Sequence, residues 1–221
     1  MWHVDLTILP TGGFWVPWLP FSLPQVWPFC FWLGVVLDHC SRSVVAWQLF
    51  RKQPTGEEVV ALFETGRKRA GATPKHVISD QGPQFGVAHR AWCAMRGVKP
   101  RYCAIGEHGS IATIERFFRS LKNEMFAKRI VPLGFRLLYA ALMAYLTWCQ
   151  DHRPHQGLAG LTPAERLAGA PPLAKGELLE PRARYPIRDD ERRGRVCALQ
   201  LVVESVDGRS HLPIVSLREA A

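Results

Sequence analysis

No two of the six cysteines, Cys30, Cys40, Cys93, Cys103, Cys149 and Cys197, form a C-x-x-C pair. That argues against a zinc knuckle or a thioredoxin-type redox site. Cys149, His152 and His155 are close in sequence but lack the second cysteine pair that a structural zinc site needs. At 221 residues the chain can bury a core without disulfides, so the reduced thiols of a cytoplasm are the expectation. Acidic residues are also in short supply, with 19 Asp+Glu against 28 Lys+Arg and a net charge of +9. A surplus of that size points to a polyanionic partner such as nucleic acid or an anionic membrane. Charge is missing altogether from residues 6 to 37. A stretch of that length could span a bilayer, yet Pro10, Pro17, Pro20, Pro24 and Pro28 each remove a helical hydrogen bond within it. The basic start and small-residue cleavage site of a signal peptide are absent too. No internal repeat is found.

What is present reads as a mixed α/β chain. Residues 2 to 9 form an expected strand, followed by a long irregular loop rich in Pro, Gly and Trp over 11–29. The continuous apolar run 29 to 38 predicts a buried strand and 44 to 50 its hairpin return. Thr55 ahead of Glu58 is a capping-box signature for a helix from about 56 to 70. A short strand over 75 to 80, a helix closed by Gly97, another short strand, and helices from about Ser110 to Lys128 and up to about 150 complete the series. Ile114, Phe117, Phe118, Leu121 and Met125 line one stripe of the first of these last two helices. Three hairpin-linked strands followed by alternating helices and strands imply a mixed sheet with helices on both faces. Residues 1–170 are expected to be one domain, 171–194 a linker, and 195–221 a small β-rich module with its turn at Asp207-Gly208.

Three carboxylates stand out. Asp5 lies inside the first strand, Asp80 ends the strand before Gly82, and Glu115 opens a helix. If the first and fourth strands are neighbours, Asp5 and Asp80 meet near the middle of the sheet, and a helix packed beside them can supply Glu115. Converging carboxylates repel one another and need cations, and an oxygen-only set suits Mg²⁺ or Mn²⁺. Two such ions about 4 Å apart serve phosphoryl transfer. Taken singly, each residue has a structural reading: a turn former, or a partner for a helix dipole. Arg119 and Lys122, four and seven residues beyond Glu115, fall on the same helical face and fit a phosphate track beside a metal ligand.

The ordered set "WHVDLT", "VVLDHCSR", "VISDQGPQF" and "HGSIATIERFFRSLKNE" resembles the successive motifs of the DDE integrase core of bacterial insertion-sequence transposases and retroviral integrases. "RPHQGLAGLTPAER" resembles the segment that follows the core in bacterial members, and "DGRSHLPIVSL" their C-terminal tail. The 34 residues between Asp80 and Glu115 agree with the family spacing. The resemblance implies an RNase H-like five-stranded mixed sheet flanked by helices, with Asp5, Asp80 and Glu115 as a catalytic triad binding Mg²⁺ or Mn²⁺. It implies DNA strand nicking and strand transfer on transposon ends and target DNA, by a homo-oligomer in a bacterial cytoplasm, associated with the nucleoid. Arg119 and Lys122 match positions that face DNA. Arg153 and His155 either contact DNA or pack the last helix, and His108, Gly109 and Ser110 match a segment leading into the Glu115 helix. Asp38 is read as capping the turn into Ser41 and Arg42, outside the triad. The sequence departs from the family in its longer, more aromatic 11–29 loop and in Cys149-Gln150, where Tyr-Asn is commoner. It also starts at the first catalytic strand, so the N-terminal DNA-recognition module of relatives is expected to be missing. A purely hydrolytic RNase H-like nuclease, a non-catalytic DNA-binding remnant and a membrane-tethered protein remain the alternatives.

Overall fold

The computed structural model describes residues 1–10, 30–102, 111–126, 134–171 and 185, and the backbones of 199–206 and 209–219. The expected loop over 11–29, the segment His108 to Ser110 and all of the 171–194 linker except Pro171 and Tyr185 lie outside these residues. The chain divides into two units, Met1–Tyr185 and Pro186–Ala221.

The first unit is built on a five-stranded sheet of β1 (Trp2–Pro10), β2 (Cys30–Asp38), β3 (Val44–Phe50), β4 (His76–Ser79) and β5 (Lys99–Tyr102), in the order β3-β2-β1-β4-β5. β1, β2 and β3 pair antiparallel, whereas β4 runs parallel to both β1 and β5. The sheet is therefore mixed, with β1 at its centre and β4 beside it, as the carboxylate argument requires. Helices α1 (Gly56–Ala70), α2 (Val87–Arg96), α3 (Ala112–Leu121), α4 (Phe135–Asp151) and the short α5 (Pro163–Leu167) complete the unit. The capping box of α1 forms as expected: the Glu58 amide donates to the Thr55 hydroxyl and the Thr55 amide to the Glu58 carboxylate. Thr162 and Glu165 repeat the device at α5.

β2 explains why its sequence is apolar without alternation. Phe31, Leu33, Val35 and Leu37 point into one core with α3 and α4, while Val36 joins the other with α1 and α2. A strand covered on both faces has no polar side. Gly34 is the gap in that run because Leu6 and Leu62 are already there. A Cβ at Gly34 would lie 3.1 Å from each of them. In β1 the two-residue period is visible: Trp2 and Val4 enter the α1–α2 core and Leu9 the α3–α4 core. Asp5 falls on the α3 side.

The helix expected from Ser110 to Lys128 is α-helical only to Leu121. A π-helical turn over Lys122–Phe126 follows. That turn buries the consecutive residues Met125 and Phe126 together, which a regular helix would set about 100° apart. In the second unit β6 (Leu199–Val206) and β7 (Arg209–Glu219) pair antiparallel, and the expected turn at Asp207-Gly208 lies outside the described residues.

Candidate active site

β1 and β4 pair in parallel with Trp2 opposite Val77 and His3 opposite Ile78. Continued two residues, this register sets Asp5 level with Asp80, which lies just past the end of β4. Asp80 is fixed locally, its Oδ1 accepting from the Gly82 amide at 3.0 Å. Asp5 Oδ1 accepts from the Leu6 amide at 2.7 Å. Opposite Asp5, α3 presents Glu115 and Arg119, both exposed, and the half-buried Lys122 follows in the π turn. Asp5, Thr7, Glu115, Phe118, Arg119 and Lys122 line one open groove. Glu115, Arg119 and Lys122 therefore share a face, as their spacing predicted. Lys122 is half-buried and lines the groove beside Asp5.

The electrostatics of the groove centre on Asp5. Burial raises its pKa to about 7, and the charges of Asp80 and Glu115 add to this, while the Leu6 amide and Lys122 oppose it. Lys122 is lowered by the same burial and raised by Asp5. The three carboxylates thus sense one another, though they do not form a closed cage. Among the described residues no three His, Cys, Asp or Glu side chains are close enough to hold a metal ion. Bringing three carboxylates to ligand distance costs mutual repulsion that only a cation removes. The donor chemistry does fit a hard divalent ion, being oxygen-only and including a carboxyl whose charge is unfavourable where it lies.

Arg153 and His155 lie elsewhere. Arg153 Nη2 donates to Glu124 Oε1 at 2.6 Å and its Nε to Oε2 at 3.0 Å. Tyr145 donates to the same carboxylate at 2.9 Å. Arg153 thus ties the end of α4 to the π turn after α3. His155 stands next to it, Nη1 of Arg153 lying 3.4 Å from Nε2. Asp38 is a turn cap as expected, accepting from the amides of Cys40 and Ser41 and from the Ser41 hydroxyl. Burial works against its charge, yet these hydrogen bonds keep its pKa below the usual range. Two cations that the sequence reading passed over, Arg42 and Arg116, line a second cavity together with Arg153 and His155. Arg116 could have been found as a cation beside Glu115. Arg42 lies 74 positions before Arg116, and only the fold unites them.

The family model of the integrase core domain matches residues 1–108, slightly under half of the chain. No curated protein sequence matches it significantly. Among solved structures, the chain resembles the HTLV-2 integrase catalytic core domain in complex with magnesium (trimeric form). That match has a TM-score of 0.52 and 18% identity, covering 74% of this chain and 93% of that one. It also resembles a chain of the simian T-cell lymphotropic virus intasome in complex with PP2A regulatory subunit B56 gamma. Here the TM-score is 0.55 with 17% identity, over 81% of this chain, which spans only 58% of that chain's length. The fold is the RNase H-like fold of integrase catalytic cores. Among the described residues no helix is long and apolar enough to cross a membrane.

Proposed function

We propose that this chain is the catalytic core of a DDE-type transposase of the insertion-sequence kind, nicking DNA at transposon ends and transferring the freed strand to target DNA. The observation that carries this reading is the groove in which Asp5 faces Glu115, Arg119 and Lys122, with Asp80 level with Asp5 on the neighbouring parallel strand. The integrase core match over residues 1–108 and the magnesium complex of the HTLV-2 core support it.

Asp5, Asp80 and Glu115 would hold Mg²⁺ or Mn²⁺. When bound, such ions activate the attacking oxygen and stabilise the leaving one in an in-line displacement at phosphorus. Arg119 and Lys122 hold the phosphates of the strand on the same helix face, giving register without reading sequence. Lys122, half-buried beside Asp5, offsets the charge that burial disfavours. No protein nucleophile is needed, so the chain's role is to position and neutralise. The reading places the protein on DNA in a bacterial cytoplasm, as an oligomer.

The test is a nicking and strand-joining assay with a labelled duplex, a plasmid target and Mn²⁺. Asp80→Asn should lower nicking by at least about a hundredfold, because several kcal/mol of metal-borne stabilisation are lost. Equal activity of Asp80→Asn and wild type would end the metal reading. Joined products separate a transposase from a nuclease that only hydrolyses. A non-catalytic DNA-binding role is the alternative reading. Calorimetry decides between the two, since a catalytic core must bind Mn²⁺ and lose that binding on Asp80→Asn.

A further inference from the structure

On the flank of α3 next to the carboxylate groove lies a cavity of about 500 Å³ lined by Arg42, Thr113, Arg116, Arg153 and His155 among others. Among the described residues no Asp or Glu lines it. The carboxylate nearest in the network, Glu124, is already engaged twice by Arg153 and once by Tyr145. Arg42 and Arg116 make no ion pair among the described residues. Arg42 is instead aimed by its backbone and by a hydroxyl. It occupies the left-handed region at φ 61° in the β2–β3 turn, and its Nη1 donates to Thr113 Oγ1 at 3.0 Å. His155 senses the crowd of cations: burial first, then Arg153, Arg42 and Arg116 lower its pKa to about 4, against the pull of Glu124. A guanidinium has no acceptor, so the Arg153 contact makes His155 Nε2 the acceptor. That leaves the ring proton on Nδ1, a further donor.

The guanidiniums of Arg42 and Arg116, with the His155 ring and the Thr113 hydroxyl around one cavity and no acid among its described lining residues, form a donor set for a tetrahedral anion. The position on α3 narrows the source of that anion. At about 100° per residue, Glu115, Arg119 and Lys122 occupy a stripe about 60° wide, and Thr113, Arg116 and Ser120 occupy the adjoining stripe. A helix is about 10 Å across and a nucleic-acid strand advances about 3.4 Å per nucleotide along its axis. The cavity therefore lies within a few nucleotides of the carboxylate groove for a strand laid across α3.

We propose that the Arg42–Arg116–His155 cavity is a phosphate-anchoring site that grips the backbone of the same DNA strand a few nucleotides from the scissile bond. The proposal rests on the reading of the carboxylate groove as a DNA site and extends it to a second, non-catalytic contact. Arg153 supports the site through Glu124, whereas Arg42 and Arg116 supply the free charge.

The test is fluorescence anisotropy of the full chain with a labelled duplex in EDTA, across a series of salt concentrations. No strand is cut in EDTA, so failure here leaves the metal-dependent reading standing, and failure of nicking leaves this one standing. Arg116→Ala, at an exposed helix position, should weaken binding several-fold and reduce the slope of log Kd against log salt by about 1. Arg116→Lys should restore the slope while recovering only part of the affinity, because the charge returns without the guanidinium fork. Arg42→Gly, which keeps the left-handed turn, should lower the slope by a similar amount. Unchanged slope and affinity in both Arg116→Ala and Arg42→Gly, each folded by circular dichroism, would overturn the proposal. So would competition by inorganic phosphate that is lost in the variants while DNA affinity is kept, since that result would assign the cavity to a free phosphate ligand.

Discussion

Asp5 occupies a position that a strand would ordinarily give to an uncharged side chain. Its partner on β2 is Val35, and burial with two neighbouring acids raises its pKa to about 7. The sign of the consequence follows from proton counts. Between the ordinary carboxylate value of 3.8 and about 7, the folded chain keeps the proton that the unfolded chain has lost. Stability must therefore fall as pH rises through that window, with the full penalty present above about 7 and none below the unfolded value. Asp5→Asn removes the charge yet keeps an oxygen to accept from the Leu6 amide. In metal-free buffer at pH 8 it should raise stability by about 2–4 kcal/mol, and at pH 3.5 the gain should vanish. Urea denaturation at the two pH values measures both. Saturating Mn²⁺ should raise the stability of wild type at pH 8 and leave the variant much less affected. A residue that destabilises the empty fold and is relieved by a cation is what a metal ligand should be.

At the level of elements, legibility in the sequence follows whether the signal is local. The α1 helix was readable because its capping box, Thr55 with Glu58, is a chain neighbour of the helix. β2 was readable because burial on both faces leaves an uninterrupted apolar run. The placement of Asp5 beside Asp80 followed from strand order, and the shared face of Glu115, Arg119 and Lys122 from helical spacing. The π turn over Lys122–Phe126 was not legible, since the apolar stripe continues smoothly through it and only the pull of Met125 and Phe126 into one core unwinds it. The partner of Arg153 was equally hidden, Glu124 being 29 positions away on another element. That pairing locks the π turn to α4, and so bears on where Lys122 stands. Arg153→Ala leaves the Glu124 carboxylate without its cation. The pair is partly exposed, so the cost should be about 1–3 kcal/mol, seen as a lower urea midpoint. Arg153→Lys should recover only part of it, because a point charge cannot donate twice in the plane of the carboxylate.

At the scale of the molecule, the distribution of charge separates the two units. Residues 186–221 contain six Lys+Arg and six Asp+Glu, so the whole surplus of nine positive charges belongs to Met1–Tyr185. That same unit holds the five-stranded sheet, both cores, the carboxylate groove and the basic cavity. Its last residue is part of it: the Tyr185 ring packs edge-on to Tyr145, with centroids 5.1 Å apart, and against Trp148 at 5.6 Å. Non-specific DNA affinity scales with the phosphates a protein neutralises, and a neutral segment adds little to that sum. A chain ending at Tyr185 should therefore unfold cooperatively within a few degrees of the full chain and bind duplex DNA with the same salt slope, to within about one phosphate contact. Ending instead at Pro171 removes Tyr185 from the α4 aromatic cluster and should lower the melting temperature further. A salt slope that drops by more than about one on removing 186–221 would show that the C-terminal hairpin unit presents its six cations to DNA and keeps its six acids turned away.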